Sequence, residues 1–522
     1  MVANAGNPTP AYIPMTGDQL VDGMTHGYLW RLDASKTIDM AVAGGFLGEY
    51  WNSPIDVASH FLAAGSAFSI YADVKFNFSG FYSDPSGAFY SGADITLSAD
   101  GGYRYFSSQN SWARGFFPDT VQNLLYAGAP GDIYLNLNSQ ANYLPSYEPG
   151  SSGWFLILHE LGHTLGLKHP HDSGGTGRPT FTQLGMEMLD KDWATVMSYG
   201  DDADWNLIEW EPATPMILDV YAIQYLYGKN NSFNTGNDSY TLEETGFYLT
   251  LWDASGTDTL DASKSDVAWK INMPDTSLST LVDTRAGVAL PMKEVEATFP
   301  KTLFWLAGDY ERANGSRFND SISGNLFNNT INGNGGNDTV DGGRGSDTAV
   351  YSGLRSGYTV TKTSSGVTVK DNVGLDGVDM LNNIERLQFS DKTVALDTDG
   401  IAGKAYRIYQ AAFARTPDNG GLKYWIDTMD KGHTLEAVAG GFIASTEFKS
   451  LYGNAPSNET FVTKLYNNVL GRAPEKDGFD YWVSLLDDQE ISQVSTLINF
   501  SESAENQTAL IGLIENGIEL FA

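Results

Sequence analysis

Between Trp154 and His171 the chain carries the spacing H-E-x-x-H-x-x-G-x-x-H, filled by His159, Glu160, His163, Gly166 and His169. Histidines four apart on a helix stand one turn apart on a single face, so both can reach one metal ion. Gly166 falls where that helix must stop, in a left-handed turn that glycine adopts at little cost. The reversed chain then returns His169 as a third ligand. Three imidazoles with one open position are the ligand set of a catalytic rather than a structural zinc. Glu160, beside the first histidine, points toward the same cavity and can take a proton from water held there. The five positions together specify a metal, a water and a base.

Positioning them requires a helix. The strongly apolar run Trp154–Leu158 supplies its buried face, and Ser151 and Ser152 are available as N-caps. Upstream, residues ~17–150 alternate helical and strand-like pieces. Pro54–Ala64 has Ile55, Ala58, Phe61 and Leu62 at helical spacing, while Ala93–Leu97 and Asp132–Leu137 are short apolar runs bounded by Gly and Asp and are predicted strands. The expectation is a mixed α/β catalytic domain over residues 17–230, with the metal helix packed against a twisted sheet. Residues 1–16, Pro-rich and polar, are expected to be a flexible arm or pro-segment. Pro215–Gly228 has helical periodicity that ends at glycine, and it closes this region.

Composition narrows the partners. With 522 residues the chain is too long for one core, so several domains are expected. The 64 acidic against 31 basic residues give a net charge of −33. That excludes nucleic acid and anionic membrane as natural partners and suits hard cations such as calcium. There are no cysteines, so metal chemistry must use His and carboxylates. No run of about 18 apolar residues predicts a membrane span. The N-terminus lacks the basic and apolar segments of a secretory signal peptide, so an export address is expected elsewhere.

Ala194–Gly200 reads ATVMSYG, and its Met197 lies 28 positions beyond His169. A methionine alone is ordinarily core packing. Together with the zinc motif this pair resembles the metzincin metalloproteases, where a methionine turn forms an apolar floor under the three-histidine zinc. His169-Pro170, and Tyr199 two residues after Met197, make the resemblance closer to the serralysin branch. The resemblance implies peptide-bond hydrolysis, with Glu160 as general base and Tyr199 as a swinging zinc ligand that also stabilises the oxyanion. It further implies that substrate pairs with an exposed sheet edge, placed at Trp112–Phe117. In the same family Trp252–Asp261 would bind calcium through Asp253, the Ser255 carbonyl and Asp258, and Asp309 and Glu311 align with ligand positions.

From Gly315 the chain repeats every nine residues to Val350: GSRFNDSIS, GNLFNNTIN, GNGGNDTVD, GGRGSDTAV. This is the G-G-x-G-x-D-x-U-x pattern of RTX parallel β-rolls. Glycines make the turns, aspartates reach calcium with backbone carbonyls, and Ile322, Ile331, Val340 and Ala349 fill the thin core. The calcium set expected here is Asp320, Asp338 and Asp347 with Gly333, Gly335, Gly336, Gly342, Gly343 and Gly345. Phe318, Phe327 and Asn329 depart from the pattern, so one or two well-formed sites are expected within the repeats. Short strands to ~398 complete a calcium-binding domain over 231–398.

Beyond Asp397 the character is helical, and an internal repeat places Tyr409, Phe413, Arg415, Pro417, Tyr424 and Trp425 again 57 residues later as Tyr466, Leu470, Arg472, Pro474, Tyr481 and Trp482. Residues 399–522 resemble a helical domain family of unknown function that often follows RTX repeats. The Tyr-Trp pairs are expected to pack between helices, with a cell-surface ligand of the tail as the alternative. Glu519-Leu520-Phe521-Ala522 resembles an uncleaved type I secretion signal. The expectation is thus a multidomain protein, α/β metzincin plus parallel β-roll plus all-α tail. It would be a secreted zinc endopeptidase stabilised by calcium and acting on protein or peptide substrates. The rival is a calcium-folded surface or S-layer-associated adhesin with narrow processing activity or none.

Overall fold

Two short strands, β1 (Thr9–Tyr12) and β2 (Tyr28–Arg31), pair antiparallel near the start of the chain. The main sheet follows: β3 (Thr37–Ala43), β4 (Lys75–Tyr82), β5 (Ile95–Asp100), β6 (Ala113–Gly115) and β7 (Ile133–Asn136). Its order is β4-β3-β5-β7-β6, parallel except for β6, which runs antiparallel to β7 along one edge. β5 and β7 are buried along their whole length, as expected of strands covered on both faces. This computed structural model describes residues 8–101, 112–126, 128–137, 147–199, 211–274, 287–297 and 300–521. It divides into two compact units, Met1–Arg312 and Ala313–Ala522.

The helices of the first unit are α1 (Gln19–Met24), α2 (Pro54–Ser69), α3 (Pro85–Tyr90), α4 (Ser152–Thr164), α5 (Phe181–Leu184) and α6 (Ile217–Tyr227). α2 starts at a proline, where the missing N–H costs nothing. It buries Ala58, Phe61, Ala64 and Phe68 at helical spacing, and it packs on β4 and α4. α4 is buried all round, from Gly153 to Thr164, so it is a core helix rather than an amphipathic surface one. Leu158 and Leu161 share one apolar core with Phe61, Phe68, Leu97, Leu135 and Ile223.

Toward the end of this unit Tyr248–Asp253 pairs parallel with Leu303–Gly308, and Ser239–Thr241 pairs parallel with Thr259–Asp261. Val288–Pro291 runs antiparallel to both Trp269–Asn272 and Leu303–Gly308.

In the second unit alternate nonapeptides fall into two parallel ladders. Ser321–Ser323, Thr339–Asp341 and Val378–Asn382 form one, and Thr330–Asn332, Thr348–Val350 and Arg386–Gln388 the other. Ile322, Ile331, Val340 and Ala349 all point inward, each 3 % exposed or less. A period of nine with one apolar residue per turn leaves room for just such a thin core. Eight helices follow, from Ile401–Phe413 to Ala504–Ile514, around a second core that contains Tyr409, Phe442, Leu465 and Phe500. Trp425 and Trp482 are partly buried against it, whereas Tyr424 and Tyr481 stay exposed.

Two local differences from expectation have plain causes. The arm expected to be flexible is tied down wherever it is described; residues 1–7 lie outside the described residues. Beyond the β1–β2 pairing, buried Arg178 donates to the carbonyls of Ile13 and Pro14 at 2.7 and 3.1 Å, because a buried guanidinium must fill its donors. At the other end Ile518–Phe521 is a strand, antiparallel to Lys392–Ala395. Ala522 lies outside the described residues.

Candidate metal centre

The helix that carries the first two histidines is capped by Ser151, whose hydroxyl accepts from the Trp154 amide at 3.2 Å. It ends at Leu165, and Gly166 follows with φ +100°. A Cβ at Gly166 would lie 2.3 Å from the Tyr28 carbonyl oxygen, so both backbone angle and space demand glycine. The turn returns His169 to the helix face. His169 Nε2 then lies 3.1 Å from His159 Nε2 and 3.0 Å from His163 Nε2.

Each imidazole is held by its other nitrogen. His159 Nδ1 donates to the Val196 carbonyl at 2.7 Å, His163 Nδ1 to the Leu167 carbonyl at 3.0 Å, and His169 Nδ1 to Asp172 Oδ2 at 2.6 Å. These acceptors have no proton to give, so Nδ1 carries the hydrogen in all three rings and Nε2 keeps its lone pair. Burial lowers His159 to about 3 and His169 to about 4, and holds His163 well below its ordinary value. The rings are therefore neutral near pH 7. Three lone pairs converging at about 3 Å repel one another unless a cation lies between them. Zinc–nitrogen bonds of about 2.0–2.1 Å at tetrahedral angles place ligand nitrogens roughly 3.3 Å apart. The donor set fits zinc.

Glu160 lies on the same helix, buried, with Oε2 lacking any hydrogen-bond partner. Burial raises its carboxyl to about 8, against the opposing pull of the Gly115 amide and the Arg114 guanidinium. Gly115 ends β6, and a Cβ there would meet the Glu160 carbonyl oxygen at 2.5 Å and Oε2 at 3.0 Å. Glycine thus lets the edge strand lie against α4. The Tyr199 ring is 43 % exposed, with its centroid 4.4 Å from that of His169 and 5.5 Å from that of His159. Met197 is fully buried, and its sulfur would be 2.5 Å from a Cβ on Gly162, the residue before His163. Gly200 of the ATVMSYG segment lies outside the described residues.

Several supporting residues escaped the sequence motif. Asp172 orients His169; its only signal is a carboxylate three positions after the third histidine. His171 stacks on His169 with centroids 5.0 Å apart and planes 5° apart, and its Nδ1 is 3.3 Å from Asp190 Oδ2. Asp219 of α6 accepts from Thr195 Oγ1 at 2.6 Å, the Val196 amide at 2.7 Å and the Met216 amide at 2.8 Å. It thereby fixes the turn whose Val196 carbonyl holds His159. Its place in the first turn of α6 signals only the local cap to Met216, because the Thr195 and Val196 donors lie 24 and 23 residues away.

The carboxylates assigned to calcium fall in stacked arrays. Asp253 and Asp258 share a cluster with Asp238, their oxygens within 4.8 Å of one another. The Asp238 amide donates to Asp258 Oδ1 at 2.7 Å and the Asp258 amide to Glu311 Oε2 at 2.8 Å. The Ser255 amide bonds to Asp253 Oδ1 at 3.0 Å, and Asp309 adds negative charge near Asp258. In the repeats Asp338 Oδ1 accepts from the Asp320 amide, and Asp347 Oδ1 from the Asn329 amide. Their Oδ2 atoms are buried without partners. Unpaired buried carboxylate oxygens are costly, and this donor set fits a hard cation. Asp320, by contrast, has Ser316 on both oxygens.

Gly333 and Gly342 are needed because a Cβ would strike Oδ2 of Asp338 and Asp347 at 2.2 and 2.6 Å. Gly336, Gly343 and Gly345 adopt positive φ, and Asn334 does so in the place Gly343 occupies one repeat later, whereas Gly335 does not. The columns continue past the repeats: the Asp338 amide donates to Asp379 Oδ1 at 2.9 Å and the Asp347 amide to Glu385 Oε2 at 2.8 Å. Both residues were missed, although each precedes an x-Leu pair just as the repeat aspartates precede x-U.

Residues 314–349 match the RTX calcium-binding nonapeptide repeat family. Residues 405–451 and 439–510 match a domain of unknown function, DUF4214. Serralysin C of Dickeya chrysanthemi is 33 % identical over 187 residues, covering 32 % of this chain and 38 % of that protein. Over that stretch the chain is similar to a serralysin, and its repeats match the RTX family. Metallopeptidase AprA of Pseudomonas marginalis is 32 % identical over 168 residues, 28 % of this chain and 34 % of its own length. Serralysin of Proteus mirabilis is 36 % identical over 133 residues, 22 % and 27 % of the two chains. The chain thus spans about a third of the length of the curated relatives it matches. Zinc and calcium are the cofactors that accompany a serralysin-type chain with RTX repeats. Among the described residues no helix is long and apolar enough to cross a membrane.

Proposed function

We propose that the protein is a secreted zinc-dependent endopeptidase of metzincin type whose β-roll is folded by calcium. The observation that carries this reading is the convergence of three Nε2 lone pairs beside a buried, half-unpartnered Glu160. His159, His163 and His169 would hold the zinc. Bound there, zinc supplies Lewis acidity that polarises a peptide carbonyl and makes water a better nucleophile near pH 7. Glu160 Oε2 takes the proton from the attacking water and passes it to the leaving amine. The Tyr199 hydroxyl donates to the carbonyl oxygen as negative charge develops on it. β6, last in the strand order of its sheet among the described residues and in contact with α4, would align an extended substrate along its edge, so that the backbone is read as an added strand.

On this reading residues 17–230 are the catalytic domain, 231–398 the β-roll domain and 399–522 the helical tail. Calcium ligands come from Asp238, Asp253, Ser255, Asp258, Asp309 and Glu311 near one end. In the repeats they come from Asp338, Asp347 and the repeat glycines, with Asp379 and Glu385 completing the columns. An acidic β-roll is destabilised without calcium and stabilised at extracellular levels of roughly 10⁻³ M, which suits type I export. The deciding experiment is Glu160→Ala. Casein hydrolysis is expected to disappear while one zinc per chain stays bound; an active, zinc-loaded variant would overturn the reading.

A further inference from the structure

His159 and His163 take their positions from α4, but His169 lies beyond the helix and must be placed by its loop. The residue before it, Lys168, is fully buried, a rare state for a lysine. Its ammonium donates to three carbonyl oxygens: Gly23 at 2.6 Å, Asp172 at 2.8 Å and His169 at 3.2 Å. Three N–H donors meet three acceptors, so the group is saturated. Its own amide donates to the Met24 carbonyl at 2.8 Å, and Thr25 bridges Leu167 alongside. Both ends of the residue are therefore fastened to the C-terminal end of α1, where helix carbonyls lack intrahelical partners.

Asp172 is held by its two ends in the same way. Its carbonyl is taken by Lys168, its Oδ2 by His169 Nδ1 at 2.6 Å and its Oδ1 by the Gly174 amide at 2.7 Å. The ammonium thus grips the backbone of the residue that orients the third imidazole, and the backbone of that imidazole's own residue. We propose that Lys168 is a positioning residue for the third zinc ligand, acting through Asp172 and the His169 carbonyl to hold the His169 ring on the α4 histidines. It rests on the zinc reading above. The side chain touches neither substrate nor the reacting atoms. A flexible stem ending in a compact triple donor suits it to this task, because a planar guanidinium could not face three carbonyls from one point.

Zinc affinity, measured by chelator competition on wild type, Lys168→Met, Asp172→Asn and the double variant, tests this, with the cobalt(II) visible spectrum as a second readout. Wild type must bind one zinc; if it does not, the functional reading fails and Lys168 is not the cause. Loss of an orienting partner typically weakens metal affinity 10–100-fold, and that range is expected for each single variant. The double variant should be no more than about threefold weaker than the weaker single, because both act on one element. The cobalt spectrum should change in all three variants. Additive losses, or a Lys168→Met that melts lower while zinc affinity and cobalt spectrum stay unchanged, would overturn the proposal. Should Lys168→Met not fold, Lys168→Gln, which keeps two N–H donors, takes its place. Failure of both also overturns it, since a tie the metal-free fold cannot do without is not specific to the ligand.

Discussion

Asp219 Oδ2 accepts the Val196 amide at 2.7 Å, and the Val196 carbonyl in turn holds His159 Nδ1 at 2.7 Å. A carboxylate on α6 therefore sets the orientation of an imidazole on α4, across the backbone of the single residue Val196. Burial lifts the Asp219 carboxyl to about 7 even against the opposing pull of its three donors.

Removing that carboxylate is expected to be severe. Asp219→Ala leaves the Thr195 hydroxyl and the Val196 and Met216 amides buried without acceptors, each worth roughly 1–3 kcal/mol. Urea unfolding should show a loss of at least about 3 kcal/mol, with weaker zinc retention in the variant that remains folded. A change under about 1 kcal/mol would mean that the turn does not depend on Asp219.

Tyr199→Phe keeps the ring beside His169 and deletes only the hydroxyl. On the proposed mechanism this removes one donor to the developing oxyanion, and kcat should fall by about 10²-fold with KM little changed. Steady-state kinetics on a fluorogenic peptide measure the split. An effect confined to KM would assign the hydroxyl to substrate binding instead.

Stability against pH should change sign with calcium. In calcium-free protein burial raises Asp338 and Asp347 to about 8, against about 3.9 in an unfolded chain. The folded form then holds protons that the unfolded form has lost. Their contribution is whole below about pH 4 and drains as pH rises through 8. Calcium requires both carboxylates ionised, so its apparent affinity should instead rise with pH up to about 8. Calorimetry near pH 5 and near pH 8.5, in chelator and in about 10⁻³ M calcium, checks both slopes. A chelated protein that melts higher at the alkaline pH contradicts the assignment.

Arg386 joins the second ladder to the helical tail within the second unit. It pairs with Asp397, and its Nη2 donates to both oxygens of Asp430 at 2.9 and 3.1 Å, while Asp430 also accepts from Ser346 Oγ at 3.0 Å. With the arginine side chain 7 % exposed, Arg386→Met strands two half-sequestered carboxylates, an arrangement that costs about 3–5 kcal/mol. Denaturant unfolding should show that loss, and a parallel loss of tail helicity by circular dichroism is expected at intermediate urea. A variant within about 1 kcal/mol of wild type would show that the clip is dispensable.

Local spacing carried most of the chemistry here. The helix with its two histidines, the stop at Gly166, the third ligand and the nine-residue period with its buried phase all follow from interactions spanning a few residues, which a linear pattern records. Glu160 and the apolar U positions are legible for the same reason. What stayed invisible were partners joined through space. Asp219 and His159 are 60 positions apart, and Lys168 meets the Gly23 carbonyl 145 positions upstream. Asp379 and Glu385 complete carboxylate columns 41 and 38 residues past the aspartates they support. Such pairs are chosen by which surfaces the folded chain buries together, where every polar group must find an acceptor or donor. The sequence thus named the three histidines and the repeat aspartates, and the folded chain named the residues that aim and complete them.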